Sequence, residues 1–210
     1  PTSLLAMVDA SVGGKTGIDL GALKNQIGII QEPQGVIIAA EWLKTLAHEE
    51  LRSGFAEMLK HGLIANPDYW ETMKTISDLS AHNLEGFIKP SVAEKTKVVL
   101  EDPYEKGLRK ILNFGHTLGH AIESYYLTSP DKARLLHGEA IAIGMVLEAF
   151  LATKCSGLKD AVAAEIKHTF KSFYPIITIS SEDQKAIVDL LRHDKKNKAG
   201  PLCKDYFTLK

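Results

Sequence analysis

The chain has 210 residues, 45% of them hydrophobic and 24% charged, with a formal net charge of -1 at neutral pH. That length and apolar content suffice for a buried core, as one large or two small domains. A charge balance this even gives no electrostatic footing for nucleic acid or an anionic membrane surface as partner.

Residues 1–40 read as the β-rich and glycine-rich part. Pro1 to Leu5 resembles the end of a strand entering a loop, and Val36 to Ala40 a short apolar strand. Between them Asp9-Ala10-Ser11-Val12-Gly13-Gly14-Lys15-Thr16-Gly17 is a glycine-rich turn enclosing a lysine. It lacks the earlier glycine of a Walker loop, so the nucleotide-triphosphatase reading drops out. What stays is a set of backbone amides and an ammonium open to an anion, with a hairpin carrying a solvated lysine as the plain alternative. Lys24-Asn25 is a second polar pair, in the loop after Gly21.

Beyond residue 40 the apolar period is helical. Trp42 to Leu46 begins a helix, and a longer one runs from His48 to about Ile64 with Glu49 and Glu50 in its first turn, where carboxylates suit the helix dipole. Within it Glu57 and Lys60 share a face; an exposed ion pair is the ordinary reading, but Gly54 and Ala56 would admit a neighbouring backbone and bury Glu57. Further helices are expected at 67–77, 84–101, 114–127, 137–156, 159–171 and 182–194, with Pro67, Pro103, Pro130 and Gly157 as punctuation. The longest apolar run, Ala140 to Ala152, is too short to cross a bilayer and carries Glu148, so it reads as a buried helix. Cys155 and Cys203 form no C-x-x-C pair, which fits a reducing cytoplasm. Pro1 in place of an initiator Met and the strand-like Tyr206 to Lys210 make both ends look cut, so a longer parent protein is expected.

The chemistry concentrates in Arg109 to Glu123. His116 and His120 are four residues apart, and in a helix their imidazoles leave one face a turn apart, with Arg109 and Asn113 before them on about the same face. Two hydrogen-bonded core histidines are the plain alternative. Glu57, His116 and His137 lie on three separate expected helices and offer one oxygen and two nitrogens, the pattern of a catalytic zinc with a position left open. Lys15, Lys60, Lys95, Arg109, His120 and Lys195, the last from the basic run Asp194 to Lys198, supply cations and donors. Such surroundings suit a small, hydroxylated, strongly anionic substrate.

Four motifs, Val8 to Gly17, Gly54 to Lys60, Arg109 to His120 and Leu136 to Ala140, resemble the 3-dehydroquinate synthases in the same order. The resemblance covers essentially the whole chain. It implies a mainly α fold: an all-helical metal- and substrate-binding domain over 41–210, preceded over 1–40 by the last α/β segment of a Rossmann-like NAD domain. It implies NAD and a divalent metal, zinc or cobalt, held by Glu57, His116 and His137, with His120 given to the substrate. The implied substrate, 3-deoxy-D-arabino-heptulosonate 7-phosphate, would meet Asp9, Lys15, Asn25, Lys60, Lys95, Arg109, Asn113, His120 and Lys195. Of these Lys15, Lys60, Arg109, Asn113 and His120 would act in catalysis. NAD contacts would come from Thr2, Ser3, Asp9, Lys15, Lys24 and Trp42-Leu43-Lys44-Thr45.

The family's product is 3-dehydroquinate plus phosphate, in the shikimate route to aromatic amino acids. A cytoplasmic homodimer is implied, without nucleic acid or membrane partners. The departures are Asp19 and Leu23, where Asn and Gly are frequent, and His61, where Tyr is common. Other sugar-phosphate cyclases, of the 2-deoxy-scyllo-inosose or valiolone type, are the nearest alternative; Arg109, Asn113 and His120 argue for an acid substrate instead. A metal-dependent NAD polyol dehydrogenase would not need so many lysines, and a noncatalytic helical domain is the plain case. The glycine-rich NAD loop is absent from these residues, so this chain alone is expected not to turn over.

Overall fold

The computed structural model describes residues 1–20 and 23–192, with the backbone alone for residues 19, 20, 23–26 and 192. Among them the chain is mainly helical, with one small hairpin, and forms two compact units, residues 1–112 and residues 113 onward.

The first unit opens on a π-helical turn, Ala6–Ala10. The strand expected over Pro1 to Leu5 is absent because Ser3 starts a helical turn instead. Its hydroxyl accepts the Ala6 N–H at 3.2 Å, and its carbonyl accepts the Met7 N–H at 3.0 Å. The hairpin follows, β1 (Ile18–Leu20) antiparallel to β2 (Leu23–Ile27), with Ile18 opposite Ile27 and Leu20 opposite Leu23. Gly13 and Gly14 take φ of +99° and +63°, which let the glycine-rich turn fold back so that the Gln31 N–H reaches the Gly14 carbonyl at 2.8 Å. Val36 to Ala40 forms no strand: no described segment pairs with it, and Val36 and Ile37 are exposed. β propensity without a ladder partner leaves backbone groups unsatisfied. A 3-10 turn occupies Ala40–Thr45.

Helix α1 (His48–Ala65) matches the expected span and α2 is Pro67–Met73. The latter begins cleanly, with Pro67 in its first turn and the Asn66 side chain accepting the Tyr69 N–H at 3.0 Å. It stops short of residue 77, and the hydroxyls of Thr72 and Thr75 turn to the carbonyls of Asp68 and Thr72. Helix α3 is Ala81–Glu101, started by Ser80. Gly54 packs α1 on the N-terminal turn, where a Cβ would stand 2.5 Å from the Leu5 nitrogen. Around that contact Leu4, Met7, Phe55, Met58 and Leu59 are wholly buried.

Another 3-10 turn, Leu108–Asn113, leads out of the first unit. The second unit holds α4 (His116–Thr128), α5 (His137–Cys155), α6 (Asp160–Phe173) and α7 (Ser181–Arg192). The segment from Arg109 is therefore not one continuous helix, as its spacing suggested. Gly115, at φ +79°, breaks the chain before α4, so Arg109 and Asn113 do not precede His116 on a common helix face. Helices α4 and α5 approach through Gly115, Gly119 and Gly144. One core cluster gathers Ala121, Ile122, Tyr126, Leu135, Ala140, Ile187 and Leu191. No described helix is long and apolar enough to cross a membrane. Residues 206–210, expected as a strand, and the last two residues of the helix expected to 194 lie outside the described residues.

Candidate functional site

In the second unit His116 and His120 occupy the first two turns of α4, and His137 is the first residue of α5. Their ring centroids lie 5.1 to 5.7 Å apart, and each offers a ligand nitrogen within 4.8 Å of the other two. Two of the rings have a defined orientation. His116 Nδ1 lies 3.2 Å from the Phe114 carbonyl. A carbonyl only accepts, so that nitrogen carries the hydrogen and Nε2 keeps its lone pair. His137 Nδ1 lies 3.0 Å from the Glu123 carboxylate, which fixes the same tautomer. An imidazole held at one nitrogen by a carboxylate or a carbonyl, with the other nitrogen presented, is the usual arrangement of a metal-ligating histidine. The donor set therefore fits a divalent transition metal such as zinc.

Helix starts build this arrangement. The Glu139 carboxylate accepts the Leu136 N–H at 3.0 Å and closes the first turn of α5 under His137. Glu148, 1% exposed, accepts the Gly115 N–H at 2.7 Å and the Leu118 N–H at 3.3 Å, satisfying donors that the start of α4 would otherwise leave orphaned. Sequence reasoning used Glu148 only to argue against a membrane span, and Glu123 was overlooked. The signal was present: a carboxylate in the middle of the most apolar run needs buried donors.

The first unit holds a compact charged cluster. Glu57, Lys60 and His61 on α1 are all buried, and Glu57 is engaged by Lys60. The small residues at 54 and 56 do allow the burial expected of Glu57. From α3 the Lys95 ammonium donates to the Asp9 carboxylate at 2.7 Å and to the Asp9 carbonyl at 2.5 Å. Burial alone would raise the Asp9 pKa, but the charges of Lys95 and Lys60 outweigh it and hold the carboxyl well below the usual range. Burial lowers the Lys95 pKa, opposed by Asp9. His61 is pushed down to about 3, first by burial and then by Lys60, and is neutral at physiological pH; its Nδ1 meets Ser91 Oγ at 2.8 Å. Asp9, Glu57 and His61 also stand within ligand distance of one another, but the Lys95 ammonium already meets the Asp9 carboxylate, and a cation held by all three would compete with it.

Arg109, 2% exposed, donates to the Gly13 carbonyl at 2.7 Å and the Pro103 carbonyl at 2.6 Å. A side chain at position 13 would meet that guanidinium at 2.4 Å, a second reason for glycine there. Lys15, half exposed, pairs with Glu105 at 2.5 Å. Thr2 is exposed and Ser3 half-buried. On the 3-10 turn Leu43 is buried, whereas Trp42, Lys44 and Thr45 are exposed. Asn113 is half-buried. The side chains of Lys24 and Asn25, and Lys195 altogether, lie outside the described residues.

Two solved structures with this architecture hold NAD+ and a divalent metal. One is a 2-deoxy-scyllo-inosose synthase in complex with carbaglucose-6-phosphate, NAD+ and Co2+: TM-score 0.82, 29% identity, 96% of this chain and 55% of that one. Another is a 2-epi-5-epi-valiolone synthase from Streptomyces hygroscopicus subsp. jinggangensis 5008 with NAD+ and Zn2+ bound: TM-score 0.72, 26% identity, 92% of this chain and 55% of that one. Residues 1–53 match the family model of the 3-dehydroquinate synthase N-terminal part and residues 54–197 that of its C-terminal part. The chain belongs to the 3-dehydroquinate synthase family. It is 41% identical over 202 residues to the 3-dehydroquinate synthase of Parabacteroides distasonis, across 95% of this chain and 57% of that protein. With that of Pseudarthrobacter chlorophenolicus it shares 40% over 202 residues, across 94% and 54%. The chain thus spans about half the length of the curated relatives it matches.

Proposed function

We propose that the protein to which this chain belongs is a 3-dehydroquinate synthase, an NAD- and metal-dependent lyase that converts 3-deoxy-D-arabino-heptulosonate 7-phosphate to 3-dehydroquinate and phosphate. The observation that carries this reading is the imidazole cluster of His116, His120 and His137 in a chain that shares 41% identity with a curated synthase. The identity to the neighbouring 2-deoxy-scyllo-inosose synthase is lower, 29%, which ranks that cyclase chemistry second.

In this reading Glu57, His116 and His137 hold the metal, zinc by the chemistry of the donor set, and His120 serves the substrate. When bound, NAD supplies a reversible hydride acceptor and the metal a Lewis acid. The residues of this chain hold and orient. Lys60, Lys95 and Arg109 are cations already fixed by Glu57, Asp9 and the carbonyls of Gly13 and Pro103, so little ordering entropy remains to be lost when an anion arrives. Asp9 keeps the Lys95 ammonium charged against its burial. Lys15, Asn25, Asn113 and Lys195 complete the substrate contacts. His120, whose ring lies 5.1 Å from that of His116, relays a proton at a substrate hydroxyl in this reading. Thr2, Ser3, Asp9, Lys15, Lys24 and Trp42 to Thr45 contribute to NAD binding. The NAD domain ends within residues 1–40, the helical domain takes 41–210, and the whole acts as a cytoplasmic homodimer in the shikimate route.

The test is phosphate release by the full-length protein from two substrates, the heptulosonate 7-phosphate and glucose 6-phosphate, which lacks the carboxylate. Release from the first alone, lost in Glu57→Ala, is expected. Release from glucose 6-phosphate alone would replace the proposal with the inosose-type reading.

A further inference from the structure

Two carboxylates outside the proposed ligand set join α4 and α5 crosswise. Glu123 belongs to α4 and holds Nδ1 of His137, the first residue of α5, at 3.0 Å. Glu148 belongs to α5 and accepts the N–H groups of Gly115 and Leu118 at 2.7 and 3.3 Å, on either side of His116 at the start of α4. Each helix thus carries a histidine of the cluster and also the carboxylate that fixes the other helix's histidine. We propose that Glu123 and Glu148 are positioning residues forming a reciprocal brace that sets the geometry of the metal site. The inference rests on the reading of His116 and His137 as ligands.

The two members act differently. Glu123 sets a ring: its carboxylate fixes both the tautomer and the rotation of the His137 imidazole. Glu148 acts through the backbone. It fixes the backbone from which His116 and, a turn later, His120 leave the helix, at the N-cap where Gly115 has φ +79°. Its burial makes this placement stringent, since a carboxylate 1% exposed tolerates no shift that uncouples it from its two donors. Because Gly144, Gly119 and Gly115 leave the two backbones in contact, a small change in the start of α4 moves the imidazoles of one helix relative to the other.

The experiment is a Co2+ titration of the metal-free full-length protein, read by the visible ligand-field spectrum, with far-UV circular dichroism of each metal-free variant. Glu123→Gln and Glu148→Gln keep side-chain volume and remove the charge. Both are expected to weaken Co2+ binding by about 10–100-fold and to change the ligand-field bands, while the helical signal of Glu123→Gln stays at the wild-type level. Affinity and spectrum unchanged in both variants would overturn the brace. Should Glu148→Gln fail to fold, Glu123→Gln decides alone, because its side chain reaches the surface; unchanged binding there overturns the proposal as stated. The ligand reading fails separately, if wild-type protein binds no Co2+ or if His116→Ala binds it as tightly as wild type.

Discussion

Replacing Gly144 by alanine puts the packing of α4 on α5 to a direct test. A Cβ at position 144 would stand 2.0 Å from the Gly115 carbonyl oxygen and 2.7 Å from the Gly119 nitrogen, both backbone atoms. Reaching an ordinary contact of 3.4 Å requires about 1.4 Å of separation, more than a rotamer change can supply because no side chain is in the way. The helix itself would gain about 1 kcal/mol from the better propensity of alanine. Overpacking costs roughly 1–3 kcal/mol, and the Gly119 N–H to Gly115 carbonyl bond, 2.9 Å long, lies in the path of the new methyl group. A net loss of about 2 kcal/mol follows, which at a urea m-value of about 2 kcal/mol per M moves the midpoint down by about 1 M. Urea denaturation of the metal-free full-length protein measures it, and Co2+ affinity should fall with it as the histidines of α4 and α5 part. A midpoint equal to or above that of wild type would refute the close approach of the two helices.

Gly86 supplies the contrast: it lies in α3 with nothing within 4 Å of a built Cβ, so Gly86→Ala should stabilise by up to about 1 kcal/mol, and a lowered urea midpoint would contradict that. Glu57→Gln leaves the buried Lys60 ammonium without its carboxylate and should cost about 3–5 kcal/mol in thermal unfolding of the metal-free protein. The double variant Glu57→Gln/Lys60→Met should recover much of that loss, and equal instability of single and double variants would sink the explanation. His61, held down to about 3, stays neutral in the folded protein while the unfolded chain takes up its proton near pH 6.5. The unfolded state therefore binds more protons below that pH, and stability should fall between about pH 6.5 and 3 by at most about 1.4 kcal/mol per pH unit from this group. His61→Gln should flatten the slope between pH 6.5 and 4; an unchanged slope would place the loss in other groups.

Much of this architecture was legible in the sequence where apolar periodicity and burial agree. Helix α1 was expected to end near Ile64 and ends at Ala65, and α5 begins at His137 as expected from the apolar run that follows. The burial of Glu57 followed from Gly54, whose absent side chain lets the N-terminal turn approach. Local patterns failed where the backbone departs from a repeating element. Ser3 was read inside a strand although its hydroxyl caps a helical turn, and Val36 to Ala40 had strand composition without a strand to pair with. The Arg109 to Glu123 segment kept its histidine spacing but not its continuity, because Gly115 adopts a conformation that no periodicity reveals. The roles of Glu123 and Glu148 were not legible for a related reason. Their partners, His137 Nδ1 and two backbone N–H groups, are brought to them by tertiary packing between helices 14 to 33 residues away along the chain.

The central claim, that the whole protein is a cyclase that returns its hydride to the substrate, is tested most directly by following phosphate and NADH together. The full-length protein would be given 3-deoxy-D-arabino-heptulosonate 7-phosphate, zinc and NAD at a concentration far below the substrate. Phosphate release amounting to many turnovers per NAD, with no lasting rise in NADH absorbance, is the predicted result. NADH accumulating in step with substrate loss, and no phosphate, would contradict the account and leave a metal-dependent dehydrogenase in its place.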